Sequence, residues 1–123
     1  MEVVAGPMFS GKTEELLRRL RRASLAKQTV MLFKPVRDDR HGTTDVVSHD
    51  ARRQNALALE NSAALETKVY AAEHRPDVVG IDEVQFFDDQ IVNVCNRLAD
   101  DGMRVIVAGL DLDYLGRPFG IMP

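Results

Sequence analysis

Residues 6–13 read Gly-Pro-Met-Phe-Ser-Gly-Lys-Thr and match the pattern G-x-x-x-x-G-K-[S/T] at every fixed position. The spacing suits a polyphosphate. Gly6 and Gly11 let the backbone curl so that successive amides face an anion. Lys12 brings a positive charge to the β- and γ-phosphates, the Thr13 hydroxyl can ligate Mg²⁺, and a helix starting here directs its positive end at the same charge. The candidate phosphate loop therefore comprises Gly6, Pro7, Met8, Phe9, Ser10, Gly11, Lys12 and Thr13.

A second constellation lies at Val78-Val79-Gly80-Ile81-Asp82-Glu83. An apolar strand ending in aspartate is the pattern that holds Mg²⁺ beside a phosphate loop. Neighbouring residues at a strand end point in different directions, so Asp82 can serve the metal while Glu83 faces an acceptor as general base. Read alone, the pair could simply open a solvated turn. The phosphate loop upstream favours the chemical reading. Together the two elements specify nucleoside triphosphate binding and phosphoryl transfer but leave the acceptor open, because motors, switches and small-molecule kinases share them.

These groups need a scaffold, and the hydrophobic pattern supplies one. Val3-Val4-Ala5 runs into Gly6-Pro7 as a buried strand entering a loop. Thr13 to Lys27 reads as a helix with Leu16, Leu17, Leu20 and Ala23 on one face. Gln28 to Phe33 reads as a strand stopped by Lys34-Pro35. A polar loop is expected around Asp38 to Thr44, then a short strand at Val46-Val47 and another at Ala56 to Leu59. Asn61 or Ser62 caps a helix to about His74, and residues 77–82 form the strand that ends in Asp82. Asp88 or Asp89 is expected to cap the next helix, which buries Ile91, Val92, Val94, Cys95, Leu98 and Ala99 and stops at Gly102. Arg104 to Ala108 is the last clear strand, and residues 110–123 read as a loop-like tail. Strands alternating with helices predict an α/β domain with a mainly parallel sheet.

Composition narrows the remaining classes. A length of 123 residues predicts one domain, with 45% hydrophobic and 28% charged residues, both ordinary for a globular chain. The net charge of −3 argues against a strongly cationic nucleic-acid binder. No apolar run reaches the roughly 20 residues that span a bilayer. The opening MEVVAGP lacks the charged start of a signal peptide, so the expected compartment is the cytoplasm. A single cysteine, Cys95, allows neither an internal disulfide nor a multi-cysteine zinc site within these residues, and its apolar helical position reads as core. Arg18, Arg19, Arg21 and Arg22 spread over more than one helical face, as a solvated or subunit-contact surface does. His41, His49 and His74 are too scattered for a metal site, and Phe87 reads as core.

Four stretches resemble the thymidine kinase family of the P-loop, RecA-like type: GPMFSGKT (6–13), KPVRDDRHG (34–42), IDEVQFF (81–87) and GLDLDYLGRPFG (109–120). They stand in the family's order and cover essentially the whole chain. The resemblance implies transfer of the γ-phosphate of ATP to the 5′-hydroxyl of thymidine with Mg²⁺, in deoxynucleoside salvage, by a homo-oligomer that is a tetramer in the family. Neither nucleic acid nor a membrane is an implied partner. Carried over residue by residue, Lys12 and Thr13 resemble the phosphate and metal contacts, and Glu83 the catalytic base. Asp82 resembles the residue near the metal, and Val84 and Gln85 the residues near the bound nucleotide. Asp38 and Arg40 are similar to polar residues near the phosphates. Met8, Phe86, Leu110, Tyr114 and Phe119 match positions around the thymine ring, where aromatic and polarizable walls suit a flat base.

Family members continue past the GRPFG segment into a region with two cysteine pairs for a structural zinc and a lasso that closes over thymidine. This sequence ends at Pro123 with Cys95 alone, so the expectation is a phosphate site without zinc or lid. Two rivals stay open: a domain that binds ATP but has lost thymidine phosphorylation, and an unrelated P-loop ATPase. Residues 109–120 speak against the second, which needs no base-sized aromatic wall.

Overall fold

In the computed structural model, residues 1–5, 11–36 and 56–109 are described. Their strands are β1 (Glu2–Ala5), β2 (Val30–Pro35), β3 (Leu57–Leu59), β4 (Val78–Ile81) and β5 (Arg104–Gly109). The helices are α1 (Lys12–Leu25), α2 (Ser62–Ala71) and α3 (Ile91–Asp100), with one 3₁₀ turn at Val84–Phe86. The strands join in a single sheet of order β1-β5-β4-β2-β3, and every pairing is parallel.

Strand periodicity divides the apolar residues between two cores. Leu32, Val78, Ile106 and Ala108 face α1 and pack with its Leu16, Leu17, Leu20 and Ala23. The alternate residues Phe33, Val79, Ile81, Val105 and Val107 face α2 and α3, meeting Leu65, Val69, Ile91, Val94, Cys95 and Leu98. Each fully buried Leu, Ile or Phe contributes roughly 1.5–3 kcal/mol by leaving water. The split follows from topology. The β1-to-β2 connection crosses the sheet in one direction, whereas the β3-to-β4 and β4-to-β5 connections run in the other. Right-handed crossovers then put α1 on the face opposite α2 and α3.

Gly80 fixes how closely α1 approaches. A Cβ there would lie 2.7 Å from Leu20 Cδ1 and 3.3 Å from Leu16 Cδ1, so only a residue without a side chain lets the helix settle onto β4. Parallel pairing also has a consequence for function. β1, β2, β4 and β5 end at residues 5, 35, 81 and 109, so all four sequence motifs start at the same edge of the sheet.

The structure corrects several sequence expectations. Lys34 and Pro35 belong to β2 and pair with Ala58 and Leu59. Proline is tolerated because β4 ends opposite Phe33, leaving no ladder on that side for Pro35 to interrupt. α1 ends at Leu25, and Lys27 turns the chain with φ 67°. α2 ends at Ala71, three residues before His74. Its cap is Asn61, whose side chain accepts the Ala64 amide at 2.8 Å. α3 follows Gln90, which makes no side-chain cap of its own. Asp88, two residues earlier, accepts the Gln90 amide with Oδ2 at 3.3 Å and the Ile91 amide with its carbonyl, as a capping residue does, whereas Asp89 accepts the Val92 amide through its carbonyl. Gly102 takes the left-handed conformation expected after α3, with φ 92°. The loop at 38–44, the Val46-Val47 strand and the tail at 110–123 fall outside the described residues.

Candidate phosphate-binding and catalytic site

The site centres on two neighbouring elements at the C-terminal edge of the sheet. Gly11 adopts φ 83° immediately before α1, a left-handed conformation that favours glycine. Its carbonyl accepts the Glu15 amide and starts the helix. Lys12 and Thr13 are the first two helical residues, so both stand where unsatisfied backbone N–H groups concentrate positive potential.

Thr13 faces the end of β4. Its hydroxyl donates to the Asp82 carboxylate, at 3.0 Å to Oδ2 and 3.3 Å to Oδ1, across 69 residues of sequence. Asp82 is 4% exposed, an unusual depth for a carboxylate. Its Oδ1 also accepts the Glu83 amide at 2.9 Å, and its own amide donates to the Phe33 carbonyl. Burial pushes the Asp82 carboxyl above the usual carboxylate range. The Thr13 hydroxyl opposes this, the Glu83 charge adds to it, and the Glu83 amide and Lys12 charge oppose it. Asp82 is thus a desolvated anion beside a hydroxyl and a lysine at a helix start, and it gains by meeting a cation. Its donor set consists of oxygens, the chemistry Mg²⁺ selects.

Glu83 leaves the strand direction abruptly, with φ 51°, a left-handed conformation uncommon outside glycine. Such strain of order 1–3 kcal/mol characteristically gathers at functional sites. The 3₁₀ turn follows, closed by the Phe86 amide on the Glu83 carbonyl and the Phe87 amide on the Val84 carbonyl. Val84 and Phe87 are buried, as expected for Phe87, whereas Gln85 is half-buried and Phe86 is 44% exposed. An exposed ring three residues beyond the strained glutamate suits a wall for a flat ligand.

The structure thus sets Gly11, Lys12 and Thr13 beside Asp82, and Glu83, Val84, Gln85 and Phe86 follow Asp82 along the chain. Gly6, Pro7, Met8, Phe9, Ser10, Asp38, Arg40, Leu110, Tyr114 and Phe119 lie outside the described residues.

Sequence reasoning missed the partner of Asp88. Its Oδ1 accepts the Ser62 amide and its Oδ2 the Ser62 hydroxyl, both at 2.7 Å, and Ser62 is 1% exposed. Separated by 26 residues, the pair carries no local signal that could have revealed it. Burial opposes ionisation of Asp88, but the Ser62 hydroxyl and amide, together with the backbone amides of Asp88 and Gln90, outweigh it and hold the carboxyl below its ordinary value.

Elsewhere the side chains serve the scaffold. Arg18 and Arg19 pair with Glu15, and Arg19 also reaches Glu2. Cys95 is buried in the α3 core, where desolvation pushes its thiol up to about 12. Among the described residues no three His, Cys, Asp or Glu side chains gather to hold a metal, and no helix is long and apolar enough to cross a membrane.

The parallel sheet, the glycine-led start of α1 and the buried carboxylate ending β4 define a P-loop NTPase-like α/β fold. The family model for thymidine kinase matches residues 1–123, and the chain belongs to that family. Among curated relatives, the thymidine kinase of Porphyromonas gingivalis is 54% identical over all 123 residues, which span 58% of the relative. That of Bacteroides thetaiotaomicron is 52% identical, with 60% of its length matched, and that of a Rhodothermus species 57% identical, with 56% matched. The chain therefore spans less than two thirds of the length of these relatives.

Proposed function

We propose that this chain supplies the donor site and catalytic carboxylate of an enzyme that transfers the γ-phosphate of ATP to the 5′-hydroxyl of thymidine in nucleoside salvage. The single observation that carries the reading is the Thr13–Asp82 contact, which joins the end of the phosphate-loop motif to the end of β4. Family membership directs the acceptor towards thymidine.

The division of labour follows from the residues. Amides at the start of α1 and the Lys12 ammonium bind the donor phosphates and hold them in place. Thr13 and Asp82 would hold Mg²⁺, and the ion when bound neutralises charge on the phosphate oxygens. Glu83 accepts the proton of the attacking 5′-hydroxyl, while Phe86 offers a face to the base. Little covalent work falls to the protein; positioning and charge stabilisation carry the rate. Asp38, Arg40, Met8, Leu110, Tyr114 and Phe119 complete the phosphate surroundings and thymine pocket in this proposal.

The decisive experiment measures ADP and thymidine monophosphate formation with and without thymidine. Thymidine-dependent ADP release, equal to the monophosphate formed, supports the reading. Glu83→Gln should keep ATP affinity within about twofold while lowering transfer by roughly 10²–10⁴. ATP turnover indifferent to thymidine would overturn the acceptor assignment, and equal losses of binding and rate in Glu83→Gln would make Glu83 structural.

A further inference from the structure

The segment from Asp82 to Asp88 carries the candidate base and the exposed Phe86 ring, yet it has only one 3₁₀ turn of its own. A single turn has little intrinsic stability, and Glu83 adds an unfavourable backbone conformation. Something must hold it. At its first residue, Asp82 receives the Thr13 hydroxyl from the first turn of α1. At its last, Asp88 receives the Ser62 hydroxyl and amide from the first turn of α2. The segment is therefore strung between two carboxylates, each held at the start of a different helix on opposite faces of the sheet.

The second anchor is built with some care. Both Ser62 contacts are 2.7 Å, the short range of charge-assisted hydrogen bonds. Ser62 is the first residue of α2, so the carboxylate also meets that helix's positive end. The Asp88 carbonyl accepts the Ile91 amide, tying the same residue to the start of α3. Phe87, buried immediately before it, fills the core beneath.

We propose that Asp88 and Ser62 form a positioning clamp that holds the Glu83–Phe86 turn in register for phosphoryl transfer. Asp88 acts through the turn, without itself contacting substrate. The clamp also links the turn to β3, because Ser62 follows that strand after Glu60 and Asn61. The thymidine arm of this inference rests on the proposed function; the geometric arm does not.

The test uses the protein at its natural length and compares Asp88→Ala, Ser62→Ala and Asp88→Asn with the parent. Amide hydrogen exchange reads the clamp directly. The Phe86 and Phe87 amides should exchange at least tenfold faster in Asp88→Ala and Ser62→Ala, with amides of α1 and β5 unchanged. Asp88→Asn keeps an oxygen for the Ser62 amide and should restore part of the protection. Unchanged exchange at Phe86 and Phe87, or equal acceleration throughout the molecule, would overturn the clamp. In the kinetic arm, kcat/KM for thymidine should fall at least tenfold in Asp88→Ala while KM for ATP stays within twofold. Equal losses for both substrates would overturn the positioning role. If the parent fails to phosphorylate thymidine, the proposed function falls and the exchange result still decides the clamp.

Discussion

Replacing Asp82 by Asn should stabilise the ligand-free protein and yet cost it the response to Mg²⁺ and ATP. At 4% exposure, the ionised carboxylate has lost most of its hydration, a cost of several kcal/mol for a buried ion after relaxation. Two donors offset this, the Thr13 hydroxyl and the Glu83 amide. A hydrogen bond to a charged group exceeds a neutral one by roughly 1 kcal/mol, so exchanging two of them for neutral ones loses about 2 kcal/mol. Setting this against a desolvation cost of roughly 3 kcal/mol leaves the amide ahead by about 1 kcal/mol. The upward pKa shift of Asp82 gives the same sign, since its surroundings favour the neutral form. For a domain of this size, 1 kcal/mol raises Tm by roughly 4 °C. Mg²⁺ and ATP at a hundred times Kd should stabilise the parent by about 2.7 kcal/mol; a hundredfold weaker variant would gain only about 0.4 kcal/mol under the same conditions. The two melting curves should therefore exchange order when ligand is added. Scanning calorimetry in EDTA and then in Mg²⁺ with ATP reads both effects. A ligand-free Asp82→Asn variant melting several degrees below the parent would show that the carboxylate serves structure. An undiminished shift with ligand would remove Asp82 from the metal site.

Lys12→Ala should weaken ATP binding at least tenfold, about 1.4 kcal/mol, in isothermal titration; unchanged affinity would refute the phosphate-loop assignment. Gly80→Ala should destabilise the protein by about 1–3 kcal/mol in urea titrations, because the new Cβ meets Leu20 and Leu16 in a filled core. A neutral result would mean that α1 can back away freely. Glu2 receives hydrogen bonds from Arg104 and Arg19, and the Arg104 contact above all holds its carboxyl below the usual value of 4.5. A lowered folded-state pKa means that this stabilisation is fully present above pH 4.5 and disappears as pH falls through the lowered value. Glu2→Gln should therefore cost roughly 0.5–1 kcal/mol near neutrality, and the difference from the parent should shrink below pH 4.5. A pH-independent difference would locate the effect in packing.

Much of this molecule is written in local pattern. Residues 6–13 need no partner to be recognised, because the positions of Gly6, Gly11, Lys12 and Thr13 express the backbone demands of one loop and the start of one helix. The unbroken run Val78-Val79-Gly80-Ile81 marks a strand buried on both faces, and Leu16, Leu17 and Leu20 mark one helical face. Even the carboxylate pair at Asp82 and Glu83 stands out, since an apolar strand ending in charge is a local contradiction that function resolves. What local pattern does not contain is pairing across the sheet. The strand order β1-β5-β4-β2-β3 sets Thr13 against Asp82 and aligns the starts of four motifs along one edge. Pro35 looked like a strand terminator until the early end of β4 left it no ladder bond to break. Asp88 looked like the cap of the helix that follows it and does accept the Gln90 amide there, but its shorter contacts hold Ser62 at the start of the helix before. A carboxylate satisfies whichever donors the fold brings within about 3 Å, and nothing in its own neighbourhood along the chain states which distant donors those will be. Periodicity and capping are short-range and survive in one dimension, whereas hydrogen-bond partners across elements exist only once packing has closed the distance between them.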